Sequence, residues 1–233
     1  SGEGVSAEVI LPEVKREDPE KKPVVDKLKL KVTATSDAQP GVRDVRVATP
    51  QGASTVAQLV VVRDIIVAEV SPNEKPAEAQ EIAWPAAVCG AIEKAEDVDY
   101  YRFRVEAGVA LVFHVRCARL QDRIHDLQTH ADPILTLRTA SGATLATADN
   151  HIYYADPVLA YQFAENGEYL LEIRDVRFQG NQYWEYCIEV HDRPLVAAAY
   201  PLAVAAGQEE EIQPLGYLLK DTPPPRLVEA IRD

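Results

Sequence analysis

The chain has 233 residues, enough for one large or two ordinary domains, and nearly half are hydrophobic, so a sizeable core is affordable. Its 24 basic and 37 acidic residues leave a formal charge of −13, which excludes the basic footprint of a nucleic-acid binder and suits a solvated surface or one that recruits cations. No apolar run approaches the roughly 20 residues needed to span a bilayer, so no membrane insertion is expected. No signal peptide is visible; with no Met in the chain, Ser1 is expected to follow processing or truncation of a longer one.

Residues 13–27 (EVKREDPEKKPVVDK) are highly charged, hold two prolines and read as a loop or partly disordered insertion. The runs KLKLKVTAT (27–35), VRDVRVATP (42–50) and STVAQLVVV (54–62) are alternating or β-branched and predict strands, with DAQPG (37–41) as a turn. Residues 69–84, acidic and interrupted by Pro72 and Pro76, read as a linker or lead-in. Eight strand signals then recur at close spacing: PAAVCGAIE, VDYYRFRVE, VALVFHVRCA, DPILTLRTA, ATLATAD, PVLAYQF, EYLLEIRDV and QYWEYCIEV. Short strands separated by turns every 8–12 residues or so predict an all-β sandwich or jelly roll. Gly108, Gly142 and Gly167 sit where hairpins reverse and are expected at positive φ. In DVDYYRF, alternation places Tyr101 and Phe103 on one face and Tyr100 and Arg102 on the other, so one aromatic row enters the core. Two longer loops interrupt the pattern, at 119–131 and 149–156. The tail beyond 193 predicts two strands and then a proline-rich stretch with a helical turn.

The residues Pro72-Asn73, Gly90, the run Asp97-Val98-Asp99-Tyr100-Tyr101-Arg102-Phe103, Gly108, Asp132-Pro133, Ser141-Gly142, Asp149, Asn166-Gly167-Glu168-Tyr169 and Tyr186 together resemble the bacterial pre-peptidase C-terminal domain. The flanks GVRDVRVATPQGAS and YPLAVAAGQEEEIQPLGYLL resemble pieces of immunoglobulin-like domains, an arrangement similar to surface or secreted proteins of planctomycete-type bacteria. The resemblance implies a jelly-roll-like sandwich over 69–192, a partial immunoglobulin-like segment over 1–68 and a further one, or a partner for the first, over 193–233. It implies a secreted or cell-surface, non-catalytic binding or spacer module that recognises a glycan or an extracellular protein. The alternatives are a self-assembling structural surface protein, pairing through its flanks into a homo-oligomer, and a metal-dependent hydrolase.

Three side-chain groups are candidates for chemistry. Glu69, Asn73, Glu74, Asp97 and Asp99 are hard oxygen donors of the kind calcium takes, or else turn caps and solvated acids. Resemblance to the collagen-binding domains of clostridial collagenases, which hold calcium with a similar acidic lead-in and Asp-rich turn, implies the first reading, and Ser71, standing where that pattern carries an acid, speaks for the second. His125, His130 and Asp132 could serve a transition metal or an acid–base pair, or could tie a long loop to the sandwich; no GxSxG or HExxH motif accompanies them. Asp149, Tyr153 and Tyr154 lie in a loop suited to glycan or protein contact, or to a plain hairpin connection. Cys117 and Cys187 could pair across the sandwich and leave Cys89 free, or all three could be buried thiols.

Overall fold

The structure is a computed structural model that describes residues 3–10, 28–120, 128–151 and 154–219. The expected loop at 13–27, the helical turn of the tail, His125 and Tyr153 lie outside the described residues. Two compact units are present, Ser1–Arg63 and Asp64–Asp233.

The first unit consists of three two-stranded antiparallel ribbons. These are β1 (Val5–Ile10) with β2 (Lys29–Ala34), β3 (Gly41–Val45) with β6 (Ala57–Val61), and the short β4 (Ala48–Thr49) with β5 (Gly52–Ala53). Among its described residues only Val61 is a buried hydrophobic.

The second unit contains the sandwich. Its strands are β7 (Ile65–Ala68), β8 (Gln80–Glu81), β9 (Ala86–Ala91), β10 (Val98–Val105), β11 (Ala110–Arg116), β12 (Pro133–Thr139), β13 (Thr144–Ala148), β14 (Val158–Gln162), β15 (Gly167–Asp175) and β16 (Glu185–His191). A further hairpin, β17 (Leu195–Tyr200) with β18 (Gln213–Tyr217), follows. One sheet has the order β13-β12-β15-β10-β8 and the other β14-β11-β16-β9-β7. All eight expected strands of the central region form. They pair as one long nested hairpin: β12 with β13, β11 with β14, β10 with β15, β9 with β16. Rolling that hairpin sets β12 against β15 and β11 against β16, which gives the two-sheet jelly roll.

The strand faces follow from the period of two. Asp99, Tyr101, Phe103 and Val105 of β10 are buried, with Tyr101 and Phe103 in the core as expected. They meet Phe113, Leu135, Leu137, Leu171, Ile173, Tyr186 and Ile188 from strands of both sheets. Phe103, Phe113, Phe163 and Tyr169 stack as tilted or edge-on rings with centroids 4.6–6.2 Å apart. Gly108 and Gly142 take φ of +85° and +92° at hairpin turns. Gly167 does not enter the left-handed region, because it is already the first residue of β15. The chain reversal before it is held instead by Asn166, whose side-chain oxygen accepts the Ala107 N–H at 2.7 Å.

Two expectations change in detail. The lead-in is not a bare linker: β7 pairs parallel to β9, β8 pairs parallel to β10, and Ile82 joins the core. Gln80 holds the two pieces together, accepting from Val70 N–H and donating to the Ala68 carbonyl. The break between units therefore falls at Arg63, ahead of the expected boundary at 68.

On the face of the second sheet turned away from the core, buried His114, Glu189 and His191 form a polar row with the half-buried Arg116. Glu189 accepts from Arg116 and lies 3.6 Å from His114 Nδ1. Burial alone would raise the Glu189 carboxyl; the His114 hydrogen bond and the Arg116 charge outweigh it and bring the pKa down to about 2. Glu189 thus stabilises the fold at neutral pH, fully so above the ordinary glutamate pKa, and that stability is lost as pH falls from about 4.5 towards 2, on the order of 2 kcal/mol. Urea titrations across that window should show the gap between wild type and Glu189→Gln narrowing as the pH drops.

Candidate functional site

The lead-in and the two sheets converge on a buried polar cluster at one end of the sandwich. Alternation on β10 sends Asp99 and Tyr101 inward from the first sheet, and alternation on β16 sends Tyr186 inward from the second. The three groups form a chain: the Tyr101 and Tyr186 hydroxyls are hydrogen-bonded, and Tyr186 O–H donates to Asp99 Oδ2 at 2.7 Å. Since Tyr186 has one proton and gives it to Asp99, Tyr101 donates to Tyr186. Glu69, just past β7, brings Oε2 to 3.4 Å from the Tyr186 hydroxyl and to 3.0 Å from the Ala91 N–H that it accepts.

Gly90 makes this approach feasible. A Cβ there would lie 2.1 Å from Glu69 Oε2 and 2.5 Å from the Tyr186 hydroxyl, so only glycine lets both side chains cross the strand.

Asn73 and Asp97 complete the cluster. Asn73 is fully buried, and its carbonyl oxygen anchors the lead-in by accepting Tyr100 N–H at 2.9 Å. Its side-chain Oδ1 and Nδ2 are buried and reach no partner at hydrogen-bond geometry. The amide is still near enough to Glu69 to act on its carboxyl. Asp97 is buried and accepts Glu93 N–H through Oδ2 at 2.6 Å, capping the turn before β10. Glu74 faces outward: its two oxygens meet the Asn73 N–H at 3.1 Å and Lys94 at 3.7 Å.

The electrostatics follow from this crowding. Burial, then the nearby Glu69 and Asp97 charges, push the Asp99 carboxyl up to about 8 despite the Tyr186 hydrogen bond. Burial likewise raises Glu69, with Asp97 adding to it and the Ala91 N–H opposing. Of the five acidic or amide residues singled out in the sequence, the fold therefore buries Asn73, Asp97 and Asp99 together, sets the half-buried Glu69 beside them and leaves Glu74 at the rim. Tyr186 and Gly90 stood out in the sequence without a role, and Tyr101 only as a core aromatic; their meeting across two sheets has no local signature. Among the described residues, no group of three or more His, Cys, Asp or Glu is placed closely enough to hold a metal ion; Glu69 and Asp99 both address the Tyr186 hydroxyl.

The other candidates are separate from this cluster. His130 is exposed, and its carbonyl accepts Arg177 Nη2 at 2.6 Å. Arg177 also binds Asp175, which accepts the Asp132 N–H at 2.9 Å, so one guanidinium ties this loop to β15. Asp132 is half-buried and Asp149 exposed; they are close enough that Asp149, after burial and Asp175, adds to the upward shift of the Asp132 carboxyl against the pull of Arg177. Tyr154 is exposed and pairs through its backbone with His151, whose ring packs 5.6 Å from Tyr217. All three cysteines are free thiols.

No protein-family model and no curated protein matches the chain. Among solved structures it is similar to the pre-peptidase C-terminal domain of collagenase from Bacillus anthracis, at 16% identity over 48% of this chain and 94% of that one, with a TM-score of 0.37. It is similar to PliG, a periplasmic inhibitor of g-type lysozyme from Aeromonas hydrophila, at 10% identity over 55% of this chain and 99% of that one, TM-score 0.33. It is also similar to a β-glucosidase from Paenibacillus barengoltzii, at 15% identity over 55% of this chain and 13% of that one, TM-score 0.25. These low scores leave the chemistry of the site to this chain's own side chains.

The hydroxyl chain makes a graded prediction. Tyr186→Phe leaves both Tyr101 and Asp99 without their partner in a buried site and should cost about 1–3 kcal/mol in urea unfolding. Tyr101→Phe preserves the Tyr186–Asp99 bond and should cost less, about 0.5–1.5 kcal/mol.

Proposed function

We propose that this chain is a non-catalytic, extracellular binding or spacer module whose lead-in is clamped to the jelly roll by a hard divalent cation, calcium. The observation that carries the reading is Asn73, a fully buried side chain neither of whose polar atoms reaches a partner at hydrogen-bond geometry, set beside the buried carboxylates of Asp97 and Asp99. Buried polar groups without partners are rare and costly, and an amide oxygen among carboxylates is the donor set calcium takes.

In this reading Asn73 Oδ1 and the carboxylates of Glu69, Asp97 and Asp99 supply the oxygens; as placed these acids do not surround an ion, so calcium draws them together as it binds. Glu74 is left out, because Lys94 and the Asn73 N–H already occupy it. Calcium would supply positive charge to a cluster in which three carboxylates otherwise repel one another. The chain's own residues hold the frame: Gly90 admits Glu69, the β10 turn fixes Asp97, and Tyr186 positions Asp99. The resemblance of residues 69–190 to the pre-peptidase C-terminal pattern points the same way. The exposed Tyr154 and Asp149 offer a surface on which a glycan or protein could be held.

Thermal melting tests the clamp. Calcium at a hundredfold excess over its Kd should stabilise the chain by about 2.7 kcal/mol relative to chelator, raising Tm by roughly 5–10 °C. Asp99→Asn and Asn73→Ala should each abolish most of that rise. Equal melting of the wild type with calcium and with chelator would overturn the proposal.

A further inference from the structure

Cys89 and Cys187 are direct partners in the antiparallel register of β9 and β16. The residues beside them in each strand fix their side. Val88 of β9 and Tyr186 and Ile188 of β16 point into the core, so Cys89 and Cys187 point together to the opposite face of the sheet. Cys117, by contrast, is a core residue with no exposure. It and Cys187 therefore lie on opposite faces of one sheet, and the pairing of those two considered from the sequence is ruled out by face. Directly opposed residues in an antiparallel pair have Cα atoms about 4.5–5.5 Å apart, inside the roughly 4.4–6.8 Å window for a disulfide. The two thiols are near enough to act on each other, Cys187 drawing the Cys89 thiol down and Cys89 pushing the Cys187 thiol up. Cys89 is half-buried and Cys187 buried, so a reagent from solvent meets Cys89 first.

We propose that Cys89 and Cys187 are a site of reversible oxidation by small disulfides, closing an intrachain bond between the first and last strands of the jelly roll. The Cys89 thiolate attacks one sulfur of the small disulfide, forming a mixed disulfide and releasing one thiolate. The Cys187 sulfur then attacks the Cys89 sulfur and expels the second thiolate. Two protein thiols are oxidised, one small disulfide is reduced to two thiols, and the two protein thiol protons pass to them. Because β9 and β16 are the outermost pair of the nested hairpin, this one bond ties together both ends of the roll.

The test uses the reduced full chain with oxidised glutathione, followed by non-reducing peptide mapping and intact mass. The expected result is a peptide pair joined through Cys89 and Cys187, a mass lower by two hydrogens, and Cys117 alkylated only after unfolding. The oxidised form should melt roughly 5–10 °C higher than the reduced form and revert with dithiothreitol. In Cys187→Ser the reaction should stop at a glutathione adduct on Cys89. A wild type that stops at that adduct, a bond that includes Cys117, or no reaction at all would each overturn the proposal.

Discussion

Two sheets packed face to face leave a layer about 10 Å thick, and whatever enters it from one sheet must be answered from the other. Over most of this sandwich the answer is apolar, with aromatic rings around Phe103 and aliphatic side chains around Leu137 and Ile173. At one end it is polar: Tyr101 from the first sheet meets Tyr186 from the second, and Asp99 terminates the chain of hydroxyls. That one inter-sheet contact sets the rest of the site. It fixes how closely β9 can pass, hence the glycine at 90, and it places an acid where Glu69 and Asn73 of the lead-in must come to rest.

Burying carboxylates next to one another opposes folding unless protons, donors or a cation offset the charge. Asp99 and Glu69 show that opposition directly in their raised carboxyl pKa values. Glu189, on the other face of the second sheet, shows the reverse case: Arg116 and His114 offset its burial, and its carboxyl is held low. The contrast separates an acid that stabilises the sandwich from acids whose arrangement calls for something further. An apolar cluster of the same size would have closed that end of the roll with less electrostatic cost, so the polar filling is best read as function. The same sheet carries the dithiol, so a cation site on its core face and a redox pair on the other would both act on the junction of β7, β9 and β16.

Much of the fold was legible from alternation alone. DVDYYRF specified which aromatic row goes inward, and eight β-rich runs between turn residues specified eight strands, because the two-residue period of side-chain direction is a local property of extended chain. How firmly the lead-in joins the sandwich, by contrast, is not a local property. Its prolines and acids look solvated in isolation; only the backbone groups of β9 and β10 give Glu69 and Asn73 something to bind, while Gln80 bonds back to Ala68 and Val70.

The acidic and amide residues of the cluster were visible as residue types, as were the three cysteines. What the sequence determined by itself was composition, strand identity and the face each side chain takes along its own strand. Which strands lie side by side was decided only by tertiary structure, through the rolling of the nested hairpin. That step joined Tyr186 to Asp99 across 87 positions of sequence and set Cys187 opposite Cys89 while Cys117 turned into the core. The reason is physical: side-chain direction follows from each residue's own backbone, whereas register and neighbour follow from burying the apolar faces of all the strands at once.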